Sequence, residues 1–320
     1  MLGLGKHALV NSIVAASGPY DLQYLSVGGG GGGGTNAGGG GGAGGFKTDT
    51  ITAEVGRSYG ITIGAGGAGG AGGTNSGGVE GGDTSVIATG LISNQYGGGG
   101  GASYNVDADD GGSGGGGAFQ GIAQQGDPGV FITSGEGNNG ADGFRVASPE
   151  VNKAGGGGGK ASTGHVGTGT AGSTSDYLVV GIAGDGGYAE FNSITGANVS
   201  YAGGGGGGAY VSAIGGSDHR GGWGGKTTNL DHCGGSGSGR GGNTGASGAT
   251  AYQNGGANKG GGAGGGAGGS RGGGAGGSGI VVIRVPTANY SGTYTGGNVT
   301  VSTDGTDTVL EFNTSGTYTG

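Results

Sequence analysis

The chain has 320 residues, of which 105 are Gly, while the apolar set is 31%, the charged set 10% and the aromatic set 6%. Gly supplies about 7% of an ordinary globular chain, so a conventional side-chain core can account for only part of this molecule and a compact enzyme domain is not expected. A net charge of -8 removes the electrostatic basis for gripping nucleic acid or an anionic membrane.

Fixing a Gly backbone costs about 1 to 2 kcal/mol in lost freedom. Tracts this rich in Gly therefore stay disordered, or are held by backbone hydrogen bonds and close backbone packing. The ordered alternative is the expectation here. Collagen fails the register test: counting by threes from Gly28 reaches Ala37, and from Gly64 reaches Ser76. The chain also has only 4 Pro, where a collagen helix needs many. The single Cys leaves no intrachain disulfide and does not fix a redox compartment.

In chain order, residues 1–18 read as a short docking segment, in which Asn11 and Ser12 interrupt a run that mimics a signal peptide. No later run approaches the ~20 apolar residues of a membrane span, so no membrane insertion is expected. Residues 19–286 alternate short β-branched runs with glycine tracts. DLQYLSV (21–27) enters Gly28, YGITI (59–63) enters GAGGAGG, DTSVIATGLI (83–92) precedes YGGGGG, and DYLVVGI (176–182) precedes GDGGY. YGGGGGASY (96–104) and YAGGGGGGAYV (201–211) each set a glycine run between two Tyr. As three-residue-per-turn helices rising ~3.1 Å per residue, such runs make rods of about 15 to 20 Å capped by aromatics. These rods have no internal hydrogen bonds, so neighbours must supply the partners; Ala, Ser and Asn within a tract are expected on the outer face or at rod ends.

GIVVIRV (279–285) reads as a strand stopped by Pro286. Residues 287–320 then form a C-terminal β-hairpin segment, with NVTVST (298–303) and TDTVLEF (306–312) around Asp304-Gly305, a dipeptide that favours a type I′ turn. Val309 and Glu311 share one face, Leu310 and Phe312 the other. No segment after residue 18 carries a helical apolar period. The expected fold class is all-β and irregular: a bundle of polyglycine II rods combined with short antiparallel strands and almost no α-helix.

Motifs for chemistry are weak. GxGxxG recurs by chance at this Gly content, and GGWGGKTT (221–228) lacks the first Gly of a phosphate loop because Arg220 stands there. Asp107, Asp109 and Asp110 read as a solvated turn rather than a Ca²⁺ loop. His219, His232 and Cys233 lack the spacing of a Zn²⁺ site, and GGSGSG (234–239) matches a nucleophile elbow in letters only. No enzyme activity, metal or cofactor is expected. Recognition remains, and loops on a rigid scaffold carry it. The stretch 209–233 holds Tyr210, Asp218, His219, Arg220 and the single Trp, Trp223, of which Trp, Tyr and Arg are types enriched at binding hot spots. Trp223 could equally pack over a rod end.

Strands ending in YLSV and YLVV, glycine blocks with aromatic edges, and the closing GGSGIVVIRVP (276–286) resemble the glycine-rich domain of tailed-phage tail-fibre and virion-surface proteins. The arrangement is also similar to the fibre-tip adhesins of T-even-type phages, whose glycine helices stack and display loops. The resemblance implies a virion protein bound to other virion structural proteins and to a host-surface glycan or protein, as a homo-oligomer with a trimer as the fibre precedent. A purely structural subunit, such as a capsid decoration, connector or extracellular fibre protein, shares the composition.

Overall fold

A computed structural model describes residues 18–120, 124–125, 135–147, 150–167, 181–211, 219–220, 222–225, 234, 239–241, 254–268 and 271–320. The expected strand at 176–180, the docking segment before residue 18, Asp218, His232 and Cys233 lie outside these residues.

The fold is all-β. Among the described residues the one helical element is a 3-10 turn at Thr287–Asn289. The β-branched runs form two five-stranded antiparallel sheets. The first has the order Val299–Asp304, Asp307–Phe312, Ile280–Pro286, Tyr20–Val27, Phe46–Ala53; the second Thr293–Gly296, Gly316–Thr319, Ser58–Thr62, Thr84–Ala88, Leu91–Gln95. They pack face to face through alternate residues, as the two-residue strand period requires. Leu22, Tyr24, Val281, Ile283, Leu310 and Phe312 of the first sheet meet Tyr59, Ile61, Val86 and Tyr318 of the second. The intervening positions Leu25, Val27, Ile280, Val282 and Val309 face the opposite way, against Phe46, Ile194 and Tyr201. Leu310 and Val309 thus fall on opposite faces, as their alternation predicts. The expected single run 83–92 is itself a hairpin, closed at Ala88↔Leu91. The segment after Pro286 adds two strands to each sheet.

The hairpin turn differs from the expected type. Asp304 pairs with Asp307, so the two loop residues are Gly305 and Thr306. Gly305 alone has positive φ, +60°, the pattern of a type II′ turn rather than I′.

Glycine tracts grow out of the sandwich. Val27 pairs with Phe46, and beyond that pair Gly28 donates to Gly45, Gly31 to Gly42 and Gly34 to Gly39. Partners within the sheet match at every residue; in the tracts one neighbour recurs every third residue. Gly29 and Gly32 donate to Gly82 and Val79, and Gly30 and Gly33 to Gly277 and Gly274. The same tract accepts from Gly98 and Gly101, from Gly67 and Gly70, and from Ala263 and Gly266. Residues 28–34 therefore bond to six neighbouring segments, three by donating and three by accepting. Residues 38–45 likewise bond to 28–34, 96–102, 260–266, 155–158, 113–116 and 205–208. Segments 96–102 and 260–266 are shared by both, as adjacent points of a hexagonal array share two neighbours. A three-residue recurrence is what a backbone turning once per three residues produces.

This packing excludes side chains. A Cβ on Gly31 would fall on the carbonyl of Gly99, and one on Gly205 on that of Ala263. At the margin the rule relaxes with the same period: Gly64, Gly67 and Gly70 are buried while Ala65, Ala68 and Ala71 are exposed. Not every Ala obeys the outer-face expectation. Ala43, Ala154 and Ala263 are buried in the interior, and Ala43 fills space beneath Phe46 and Tyr201. Far from the sandwich, the turns are tied by side chains. Thr35 Oγ1 donates to the Thr74 carbonyl and bonds Ser103 Oγ at 3.0 Å, and Asn36 Nδ2 donates to Asn75 Oδ1 at 2.9 Å.

Candidate functional site

The lattice sets where side chains can be offered to a partner: at its edges, at its turns and on the sandwich. Trp223 sits at an edge. Gly222 donates to the Gly207 carbonyl and Gly225 to that of Gly204, so residues 222–225 run against the 203–208 tract. On the other side Gly186 donates to the Trp223 carbonyl, and the Trp223 amide donates to Asp185 Oδ1 at 2.7 Å. The backbone is thereby pinned while Trp223 is 51% exposed. Tyr188, on the neighbouring 184–188 segment, is 49% exposed and its ring lies 5.6 Å from that of His165.

Tyr210 lies in the Ala209–Val211 strand at the end of the 203–208 tract, half-buried with its ring over Gly268, where a Cβ would strike it. His219–Arg220 pair in parallel with Gly181–Ile182 and lie beside the Tyr210 strand. The structure thus sets the His219–Arg220 backbone beside the Tyr210 strand and Trp223 along the 203–208 tract, while the Tyr210 ring itself turns toward Gly268. The aromatic neighbours Tyr188 and His165, and Asp185 under Trp223, were not singled out from the sequence. The signal available was the Tyr that ends GDGGY.

A second site had no sequence motif at all. On the outer face of the first sheet a cleft of about 820 Å³ is lined by Gln23, Thr48, Asp49, Thr50, Asn192, Ser193, Ile194, Gly196, Arg284, Asp304 and Asp307. Arg284, the charged residue of the run IVVIRVP, pairs with Gln23 across the sheet. Its Nε donates to Asp307 Oδ2 at 2.9 Å, and its Nη1 donates to Asp304 Oδ2 at 2.7 Å and to the Ile194 carbonyl at 3.2 Å. The bond to Asp304, and after it the bond to Asp307, hold the guanidinium pKa above its ordinary value against the opposing effect of burial. Ile194 is buried against the sheet, and Asn192 Oδ1 accepts from its amide. Gly196, at φ +85°, approaches the Asp304 carboxylate so closely that a Cβ would collide with it; here Gly is needed for both conformation and space. The cleft is assembled from positions 23 to 307, which is why no local pattern announced it.

Among the described residues no group of three or more His, Cys, Asp or Glu is placed to hold a metal ion, and no helix is long and apolar enough to cross a membrane. The Asp109 pKa is raised from its ordinary value, first by burial and then by Asp110, against the opposing backbone bond at Gly100.

A family model described as a glycine-rich domain matches residues 9–286, the span of strands and tracts that ends at Pro286. No curated protein and no solved structure matches the chain. With the greater part of its length covered, the chain belongs to the glycine-rich domain family.

Proposed function

We propose that this protein is a non-enzymatic phage virion-surface component, a fibre, spike or fibre-tip adhesin that binds the host surface through groups displayed on a polyglycine scaffold. The observation that carries the reading is the six-neighbour lattice: its cohesion comes from backbone groups, so side chains at its edges and turns can serve recognition while the backbone holds the core. The phage assignment itself draws on the resemblance of the YLSV and GGSGIVVIRVP segments. Its partners are other virion structural proteins and a glycan or protein of the host.

The alternative, a purely structural subunit, is favoured by a different feature. Thr293–Gly296 and Val299–Asp304 are the outermost strands of their sheets on one flank, and from Thr293 to Thr303 no residue is charged. Open edges without Lys, Glu or Pro invite pairing with another chain, which supports homo-oligomerisation, with a trimer as precedent. Adsorption separates the two readings. Particles carrying Trp223→Ala should lose host binding by ~2 kcal/mol or more with the melting temperature of the protein unchanged; unchanged adsorption transfers the weight to the structural reading.

A further inference from the structure

We infer that the cleft around Arg284 is a saccharide-binding site selective for uncharged sugars. This deepens the adhesin reading by naming a ligand class, and it places that ligand on a surface separate from Trp223.

The volume, about 820 Å³, lies within the range of small-ligand sites, roughly 300 to 1,000 Å³. The wall chemistry narrows the ligand. The side chains of Gln23, Thr48, Thr50 and Ser193 line the cleft and make no hydrogen bond among the described residues. Arg284 takes Oδ2 of both Asp304 and Asp307, which fixes the two carboxylates and leaves their Oδ1 atoms as acceptors. Fixed carboxylates opposite amide and hydroxyl groups suit a ring bearing adjacent hydroxyls, each of which both donates and accepts. Three carboxylates, Asp49, Asp304 and Asp307, line the cleft against one guanidinium, which Asp304 and Asp307 already pair, so an anionic ligand would enter an unfavourable field. Apolar ligands find little to bury, because Tyr24 and Ile194, which border the cleft, are themselves buried. With no exposed aromatic platform in the lining, single-site affinity is weak, and repeated copies in an oligomer supply avidity.

The full chain should be titrated by NMR or calorimetry with maltotriose, triacetylchitotriose and a galactose trisaccharide, and with sialyllactose as the anionic probe. At least one neutral trisaccharide is expected to bind in preference to sialyllactose. Gln23→Ala combined with Thr50→Ala should weaken it by about tenfold or more, the loss of one to two hydrogen bonds. Both residues are exposed, so melting should not change, and Trp223→Ala should bind the sugar as the wild type does. No binding of any neutral trisaccharide, preference for sialyllactose, or undiminished binding by the double variant would overturn the inference. Trp223-dependent adsorption without sugar binding would remove the cleft but keep the adhesin; sugar binding without adsorption would do the reverse.

Discussion

At the level of single residues, neighbouring positions in one glycine-rich segment have opposite tolerances. Gly31 lies where six segments converge, and a methyl there meets the Gly99 carbonyl. Ala68 already carries a methyl into solvent. Gly31→Ala should lower stability by about 1 to 3 kcal/mol or more, through overpacking and displaced hydrogen bonds, whereas Ala68→Val should stay within about 0.5 kcal/mol. Thermal melts of the two variants compare them, and equal melting points would mean that the tract is not buried. Glu136 makes a second residue-scale case. It is buried beside Gly45, with Oε2 lacking a hydrogen-bond partner. Burial raises its pKa, against the opposing effects of the Tyr96 amide and Lys47. A carboxyl raised on folding stabilises the protein below its unfolded pKa and loses that contribution as pH rises through the folded value. Glu136→Gln should therefore raise the melting temperature at about pH 7.5 and change it much less at about pH 4; the same shift at both would contradict the assignment.

At the level of elements, strands were legible wherever β-branched and apolar residues cluster in short runs, because the central strands of the first sheet are packed on both faces over part of their length. Tyr20–Val27, Ile280–Pro286 and the 299–312 hairpin follow directly from DLQYLSV, GIVVIRV and NVTVSTDGTDTVLEF. The turn type was misread because a dipeptide preference does not fix which two residues close the loop; the Asp304↔Asp307 register does. The buried Ala43 and Ala263 were also not foreseeable, since a tract carries no sign of which of its three faces meets a gap. What holds the elements together at the sandwich is ordinary side-chain packing. Phe312→Ala, at 0% exposure between the two sheets, should cost about 3 to 5 kcal/mol, read from denaturant unfolding. A cost under about 1 kcal/mol would mean that the two sheets do not share a core.

Across the whole molecule, one chain joins two kinds of core, a side-chain sandwich and a backbone lattice, and the strands run from one into the other without a linker. The composition made the lattice foreseeable, because only backbone hydrogen bonding can order so much Gly. The sites were less legible: Trp223 and Tyr210 stood out by residue type, while the Arg284 cleft depends on segments brought together from across the chain. Each lattice bond contributes only about 0.5 to 1.5 kcal/mol, so order must be cooperative over many tracts rather than local to one. Amide hydrogen exchange on the intact protein tests this most directly. The amides of Gly30, Gly31, Gly33, Gly41 and Gly42, each donated to a neighbouring segment, should be protected to the same extent as those of Leu22 to Val27 and Val281 to Val285 and exchange together with them. Exchange of these glycine amides at the rate of an unstructured chain, while the strand amides remain protected, would contradict the account.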